Sequence, residues 1–225
     1  MFPSFIIPRK FFSGSATKPI SVGGRAVELG CGTGLPMLSL AARRSDLTLT
    51  GLEVQPAMAR LAAFNIVANG WSDRVSVLVG DVGSLPLAAG RFDTVLANPP
   101  YFDAGRFRRS PDAARDLARV ESATPLDRWV GGALSLLRPG GEVVLVLRRE
   151  RLNDVRAALP GDCSLDVLPL GSRPGKPAKR FLARLRPATG GGVRECRPLD
   201  LHRPDGSDTE LAAAIFRDAA AISWD

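Results

Sequence analysis

The alternation of apolar and polar stretches along the chain predicts strands and helices in turn. Short apolar runs of the kind that form buried strands recur at 25–29, 47–52, 75–79, 92–97, 143–147, 165–168 and 181–185. Between most of them lie longer stretches with helical spacing, at about 36–42, 56–68, 126–137 and 149–159. Strands that alternate with helices favour a parallel sheet with helices on both faces. The last two strands share a short connection, which predicts an antiparallel pair at one edge of the sheet.

The helix that Pro56 opens has an apolar series of its own. Its members recur at spacings of four, three and four residues, namely Ala57, Leu61, Phe64 and Ala68. A series at this spacing lies on one side of a helix, so it predicts the buried face.

The pattern indicates one α/β domain with an extension at each end. Residues 1–21 are rich in phenylalanine, carry basic residues and no acid, and contain Pro3 and Pro8, which interrupt any helical signal core. They predict a flexible or wrongly assigned start, with a targeting segment as the alternative. The domain itself is placed at 22–188. The glycines at 190–192 predict the end of the regular pattern, and residues 189–225, with one helix at about 209–221, are expected to pack on the same domain.

Composition narrows the class of protein. Of the 225 residues, 45% are hydrophobic and 24% charged, which is ordinary for a globular domain. Three distant cysteines and one histidine, His202, fit neither a disulfide framework nor a zinc site, so we expect no metal and a cytoplasmic location. No apolar run approaches the roughly 18 residues of a membrane span, so we expect no membrane partner. The net charge of +7 favours an anionic partner.

A glycine-rich turn follows the first predicted strand. It contains Gly30, Cys31, Gly32 and Gly34 and is preceded by Glu28. Glycines let the backbone approach a ligand because no Cβ intervenes. The spacing is not the G-x-G-x-x-G of dinucleotide enzymes, and Glu28 would repel a phosphate but favour a cation. The turn therefore predicts binding of S-adenosyl-L-methionine, whose sulfonium and amino groups are positive, with Cys31 as a small filler rather than a nucleophile.

Two more acids end the next two strands. Glu53 comes 19 residues after Gly34, where an acid can accept both ribose hydroxyls of an adenosine. Asp81 follows the third strand and can accept a hydrogen bond from an adenine amino group. We place Val54 and Val82 beside them in the cofactor site. The carboxyl ends of parallel strands share one edge of the sheet, so these acids are expected to face one crevice.

The most specific motif follows the fourth strand: Asn98, Pro99, Pro100 and Tyr101. The prolines fix the backbone and remove two donors, which leaves the neighbouring carbonyls as acceptors. With the side-chain oxygen of Asn98, they can hold an NH₂ group so that its lone pair faces a methyl donor. Tyr101 offers a ring for stacking on a planar group. We predict these four residues as the catalytic set, with Asn98 also touching the cofactor.

On these motifs the sequence resembles the class I S-adenosylmethionine-dependent methyltransferases. It is most similar to the bacterial tRNA (adenine-N6)-methyltransferases that modify an anticodon-loop adenosine of valine tRNA. The segments that carry this resemblance are 51–56, 64–65, 69–70, 97–105, 124–129 and 137–141. The resemblance spans about 22–224, whereas residues 1–21 are not matched. It implies a doubly wound, Rossmann-like sheet of seven strands, mostly parallel, with one reversed edge strand.

Two basic stretches suit a nucleic acid. One follows the catalytic motif and contains Arg106, Arg108 and Arg109; the other contains Lys176, Lys179 and Arg180. If both lie at the carboxyl edge of the sheet, they form a phosphate track beside the target pocket. The alternative for each stretch is a solvated basic surface without a ligand. For Arg184 and Arg186, which occupy alternate positions on a strand, the alternative is a structural role.

Three functions fit these residues. The leading hypothesis is methylation of the N6 amino group of an adenine in the anticodon loop of tRNA, since unstacked loop bases are accessible. Methylation of the N5 amide of a protein glutamine would use the same catalytic logic. A non-catalytic RNA-binding module of the same fold is the third. The sequence carries no signal for an oligomeric state.

Overall fold

The computed structural model describes residues 23–100, 124–188, 191–218 and 220–225. In these residues the strands are β1 (Arg25–Leu29), β2 (Thr48–Glu53), β3 (Val75–Val79), β4 (Phe92–Ala97), β5 (Leu137–Arg148), β6 (Cys163–Gly171), β7 (Arg180–Pro187), β8 (Val193–Glu195) and β9 (Leu199–Asp200). The helices are α1 (Leu35–Arg43), α2 (Pro56–Ala68), α3 (Leu126–Leu136), α4 (Leu152–Ala158) and α5 (Glu210–Asp218), with 3₁₀ turns at Val82–Ser84 and Arg149–Arg151.

The described strands form one sheet in the order β3-β2-β1-β4-β5-β7-β6-β8, and β9 also pairs with β6. Strands β1 to β5 are mutually parallel, whereas β7 runs antiparallel to both of its neighbours, β5 and β6. The chain moves outward from β1 to β3 and then returns to the other side of β1 as β4. This reversal puts a crevice at the carboxyl ends of β1 and β4, where ligands bind in open α/β sheets.

The predicted fold class is confirmed, with two differences in detail. The described residues contain nine strands rather than seven, and the reversed strand β7 lies inside the sheet, between β5 and β6, rather than at its edge. The glycines at 190–192 do not end the regular pattern, because β8 and β9 follow and pair with β6. Gly191 passes so close to β6 that a Cβ would overlap the carbonyl oxygen of Cys163. Glycine thus allows this approach, and the unpaired edge of β6 offers hydrogen-bonding groups to the returning chain.

Apolar residues fill both faces of the sheet. Side chains of β5 alternate between them, so Val144 and Val146 pack with α1, α2 and α5, while Val143, Leu145 and Leu147 pack with α3 and α4. Ile222 and Trp224, near the end of the chain, are buried in the first of these clusters. The guanidinium of Arg43 donates to the carbonyls of Ile215 and Phe216 in α5. The predicted domain boundaries remain predictions.

The predicted buried face of α2 is wrong. Its buried residues are Ala59, Ala62 and Ile66, whereas Leu61 and Phe64 are 49% and 69% exposed, and Ala57 and Ala68 are exposed as well. The reason is a close approach to the glycine turn. A Cβ on Gly34 would lie 3.4 Å from Cβ of Ala62, and only small side chains fit between the helix and the turn.

Among the described residues, no helix is long and apolar enough to cross a bilayer. The same part of the chain contains no group of three or more side chains suited to holding a metal ion.

Candidate active site

Four predicted site segments meet at the carboxyl edge of the sheet. Leu29 at the end of β1 is in register with Leu52 on β2 and with Ala97 on β4. Glu53 at the end of β2 is in register with Val79 on β3. The glycine turn, Glu53, Asp81 and Asn98 therefore follow four adjacent strands, as the sequence predicts.

The glycine turn adopts a backbone that only glycine accommodates without strain. Gly30, Gly32 and Gly34 have φ values of +68°, +56° and +85°. The N–H groups of Gly30 and Cys31 both donate to the carbonyl of Leu52, at 2.8 and 3.0 Å. The turn is therefore fixed to the end of β2 and leads directly into α1.

Glu28 is buried and points at the start of α1. The N–H of Met37 donates to its Oε2 at 2.9 Å, so the carboxylate satisfies one of the helix's first N–H groups. A negative charge at a helix N-terminus is also favoured by the helix dipole. Glu28 thus supports the turn from below, a role that the sequence analysis did not assign. Its contact with the cofactor remains a prediction.

Glu53 is only 6% exposed, and backbone groups hold its carboxylate in place. The N–H of Gly32 donates to Oε2 at 2.7 Å, and the N–H of Gln55 donates to Oε1 at 3.0 Å. A carboxylate has about four acceptor positions, so each oxygen retains one for a hydroxyl. The geometry suits the predicted binding of two vicinal ribose hydroxyls.

Cys31 behaves as a filler. Its thiol is buried, and burial, followed by the nearby Glu28 and Glu53, raises its pKa well above the usual range. A Cβ on Gly51 would lie 2.7 Å from the Sγ atom, so the sulfur fills the space above β2. A thiol in this state is a poor nucleophile.

Asp81 is exposed at the end of β3, and one of its oxygens is occupied. Oδ1 accepts from the N–H of Gly83 at 2.8 Å and from Oγ1 of Thr124 at 3.3 Å. Pro125 is the N-cap residue of α3, and the hydroxyl of Thr124 joins the start of this helix to Asp81. Val82 is buried beside Asp81.

Asn98 stands at the end of β4 with an unsatisfied acceptor. Its Oδ1 atom is buried and has no hydrogen-bond partner in the part of the chain that the structure describes. Pro99, which follows it, is buried, and Pro100 is half-buried. Buried polar atoms are nearly always paired, so this oxygen marks a place for a donor on a ligand. Tyr101, Arg106, Arg108 and Arg109 lie outside the described residues.

Trp129 is a residue that the sequence analysis did not assign to the site. It projects from α3 into the crevice and lines a pocket together with Gly30, Leu52, Val54, Gly80, Asp81 and Val82. Its indole Nε1 is buried without a hydrogen-bond partner among the described residues, like Oδ1 of Asn98. The sequence gives no signal for this role, because Trp129 is also one of the buried apolar residues of α3.

The second basic stretch lies at the same edge of the sheet. Lys176 and Lys179 are exposed in the loop between β6 and β7, and Arg180 begins β7 in register with Arg148, the last residue of β5. The carboxyl end of β5 is next to that of β4, so the loop is two strands away from Asn98. In contrast, Arg184 and Arg186 both bind the buried Asp166, toward the other end of β6, and the structural alternative holds for them.

The described residues fit S-adenosyl-L-methionine. The glycine turn leaves room for close approach, the acids at the ends of β2 and β3 retain acceptor positions, and two orphaned polar atoms border the crevice.

Comparison with known proteins gives the family. Residues 26–122 match the model of a methyltransferase domain. The tRNA1(Val) (adenine(37)-N6)-methyltransferase of Porphyromonas gingivalis strain W83 is 36% identical over 174 residues, covering 75% of this chain and 68% of that protein. The protein of the same name from Aeromonas hydrophila is 31% identical over 198 residues, covering 85% of this chain and 80% of the relative.

Solved structures agree on the fold. A protein from Agrobacterium tumefaciens described as a predicted O-methyltransferase superposes with a TM-score of 0.78 at 21% identity, covering 95% of this chain and 97% of that one. A putative S-adenosyl-L-methionine-dependent methyltransferase from Methanococcus maripaludis gives a TM-score of 0.53 at 14% identity, covering 73% and 78%. The cofactor is S-adenosyl-L-methionine. The chain belongs to the family of S-adenosyl-L-methionine-dependent methyltransferases that includes the tRNA1(Val) (adenine(37)-N6)-methyltransferases.

Proposed function

We propose that this methyltransferase modifies the N6 amino group of an adenine in the anticodon loop of tRNA. The observation that carries the proposal is the buried, unpartnered Oδ1 of Asn98 at the end of β4, next to the glycine turn. An acceptor in this position suits an NH₂ group, which brings the donors that the site lacks. The names of relatives 31–36% identical to the chain support the proposal that this NH₂ group belongs to an adenine of tRNA.

The cofactor would be held by three strand ends. Glu53 would accept the ribose hydroxyls through the acceptor positions that Gly32 and Gln55 leave open. Asp81 would accept a hydrogen bond from the adenine amino group through Oδ2, because Oδ1 already accepts hydrogen bonds from Gly83 and Thr124. The bound cofactor supplies an electrophilic methyl group on a sulfonium.

The acceptor nitrogen would be positioned rather than strongly activated. Oδ1 of Asn98 and the carbonyl of Pro99 would each accept one N–H of the adenine amino group, so that its lone pair points into the crevice. Neither proline carries an N–H that could compete. Alignment of the two reacting atoms lowers the barrier by itself, so no strong base is required at this edge. Stacking of the base on Tyr101 is part of the proposal.

The RNA backbone would follow the basic surface. Lys176 and Lys179 are exposed at the edge that carries the acceptor site, with Arg180 beside them. Salt-dependent contacts with phosphates are expected there. We propose the same role for Arg106, Arg108 and Arg109, which follow the catalytic motif in the sequence.

Protein glutamine methylation is the second candidate, because an amide NH₂ would fit the same acceptors. The net charge of +7 favours RNA over a typical protein substrate. A non-catalytic RNA-binding module would need neither Asn98 nor the ordered carboxylates of Glu53 and Glu28. The presence of all three residues at one edge therefore favours an enzyme.

The proposed reaction can be tested by transfer of a labelled methyl group to total tRNA from a strain that lacks the matching enzyme. After digestion to nucleosides, we expect the label in N6-methyladenosine. Label in protein glutamine would instead support glutamine methylation, the second candidate function. Binding of the tRNA with no transfer to either acceptor would favour the module.

A substitution of Asn98 tests whether this residue holds the acceptor amino group. Asn98→Ala should lower the turnover rate by about 100-fold or more, as expected when one preorganised hydrogen-bond partner is lost. Affinity for S-adenosylhomocysteine, measured by calorimetry, should change little. Asn153→Ala, which removes an exposed asparagine from α4, is the matched control. Wild-type turnover in Asn98→Ala would contradict the acceptor role.

A further inference from the structure

The indole N–H of Trp129 is a buried donor that no described residue accepts. The side chain is 5% exposed, and its Nε1 has no hydrogen-bond partner within 23–100, 124–188, 191–218 and 220–225. Buried tryptophans usually pair this N–H, because leaving a buried donor unsatisfied is unfavourable. An orphaned donor on a residue that lines a ligand crevice therefore points to an acceptor on the ligand.

The surroundings of Trp129 hold its ring in one place. A Cβ on Gly30 would lie 3.0 Å from Cη2 of the indole, so the ring rests against the glycine turn. One turn further along α3, a Cβ on Gly132 would lie 3.1 Å from Cδ1 of Leu85, so the helix packs tightly beside the Val82–Ser84 turn. The indole is thereby a wall of the pocket between the glycine turn and Asp81.

The other described residues in the wall of this pocket supply no side-chain donor. Its other residues are three aliphatic side chains, Leu52, Val54 and Val82, two glycines and the carboxylate of Asp81. Aliphatic groups carry no polar atom, and an ionised carboxylate only accepts. The adenosine part of the cofactor carries acceptor atoms, in its purine ring and its ribose, as well as donors. Among the described side chains that line the pocket, Trp129 alone can donate to them.

We propose that Nε1–H of Trp129 donates a hydrogen bond to an acceptor atom of the adenosine part of S-adenosyl-L-methionine. Trp129 is then a cofactor-binding residue as well as a core residue. In this arrangement, Asp81 and Glu53 accept hydrogen bonds from donor groups of the adenosine, and Trp129 donates one to an acceptor atom. The inference rests on the cofactor site and not on the identity of the methylated substrate.

The first test removes the N–H and keeps the ring. Benzothienylalanine has sulfur in place of the indole N–H and nearly the same shape, and it can be inserted at position 129 by codon suppression. Calorimetry with S-adenosylhomocysteine should give a Kd about three- to tenfold higher than that of the wild type, as for one lost hydrogen bond. Trp129→Phe, which also lacks the donor, should weaken binding at least as much. The same replacement at Trp71, which packs against Arg74 away from the pocket, should leave the Kd unchanged.

The second test observes the proton itself. In ¹⁵N-labelled protein, the indole resonance that Trp129→Phe removes should shift downfield on addition of S-adenosylhomocysteine, and its exchange with solvent should slow. The resonances of Trp71 and Trp224 should move little. An unchanged Trp129 resonance, or wild-type affinity with benzothienylalanine, would overturn the proposal.

The two proposals fail in different ways. Binding of S-adenosylhomocysteine without methylation of tRNA would remove the substrate assignment and leave Trp129 testable as described. Absence of binding by the wild-type protein would overturn the cofactor role of Trp129, whatever the substrate.

Discussion

Single carboxylates at the carboxyl edge of the sheet stabilise the fold at the place where the cofactor is proposed to bind. Glu28 satisfies an N–H at the start of α1, and Glu53 binds the N–H groups of Gly32 and Gln55. These backbone bonds orient each side chain before any ligand arrives. A preorganised acceptor loses less entropy when it binds a hydroxyl than a mobile one does. The glycine turn and its acids are therefore one structural unit.

At the scale of single residues, the proposed role of Oδ2 of Asp81 can be tested by a substitution that changes only this atom's hydrogen bonding. Asp81→Asn keeps an oxygen for Gly83 and Thr124 but puts an NH₂ group where the adenine amino group should bind. Loss of that hydrogen bond should weaken binding of S-adenosylhomocysteine by about tenfold.

Calorimetry on the purified variant measures this loss. Asp73→Asn, which changes an exposed acid in the turn before β3, serves as the control and should bind as the wild type does. Equal affinities for Asp81→Asn and the control would mean that Asp81 only shapes the turn.

At the scale of elements, the local sequence pattern predicted the strands more accurately than it predicted how elements pack together. The bounds predicted for the first, third and fourth strands are those observed, because a short apolar run between turn signals has few alternatives. The face of α2 was wrong, since the approach of Ala62 to Gly34 depends on tertiary contacts. The strands β8 and β9 were missed because they are short, and β8 is entirely exposed. Their position depends on the edge of β6, which the sequence does not display.

The corrected face of α2 is testable with two neighbouring residues. Ile66 is 4% exposed and Val67 is 68% exposed. Ile66→Ala should lower the free energy of unfolding by about 2–4 kcal/mol, because it leaves a cavity in the core. Val67→Ala should change it by less than about 0.5 kcal/mol. Urea denaturation of the two variants measures both values, and a larger loss in Val67→Ala would contradict the observed buried face of α2.

Three strands are joined through the carboxylate of Asp166. Asp166 on β6 is in register with Arg184 on β7 and Arg194 on β8, and it also accepts from Arg186. Burial by itself raises the pKa of this carboxyl, but the hydrogen bonds from Arg194 and Arg184 outweigh burial and hold the pKa below its usual range. Asp166 therefore binds fewer protons in the folded state than in the unfolded state.

The stability that Asp166 contributes should depend on pH. A lowered pKa stabilises the fold above the unfolded value, about 3.9, and this stabilisation is lost as the pH falls through the folded pKa. Asp166→Asn should lower the free energy of unfolding by about 3–5 kcal/mol at pH 7, since it leaves buried Arg184 without its counter-charge. The difference from the wild type should shrink below about pH 4.

Denaturation with urea at pH 7 and pH 3.5 tests this dependence. Asp162→Asn, an exposed acid just before β6, should be nearly neutral at both values. A gap for Asp166→Asn that stays constant with pH would show that shape rather than charge holds the three strands together.

At the scale of the whole molecule, the described residues of the proposed site lie at one edge of the sheet. The sequence predicted this edge, because acids and Asn98 follow successive strands, and parallel strands end together. The position of Trp129 could not be predicted in the same way, since a tryptophan on a buried stripe has the same pattern with or without a ligand. The two lysines of the β6–β7 loop lie at this edge because β6 runs in the same direction as β5, so its carboxyl end is there too.

The two edges of the sheet provide a matched test of RNA binding. Lys176→Gln with Lys179→Gln removes two positive charges from the carboxyl edge, and Arg25→Gln with Arg91→Gln removes two from the exposed starts of β1 and β4 at the opposite edge. Both double variants have the same net charge, so a general electrostatic effect would weaken tRNA binding equally. The proposed phosphate contacts predict a loss in the lysine variant, with a fall in the slope of log K against log salt of about 0.7–0.9 for each contact. Filter binding at several salt concentrations measures the slope. A lower slope in the arginine variant, with none in the lysine variant, would place the RNA on the other edge, because counterion release counts only the charges that meet phosphates.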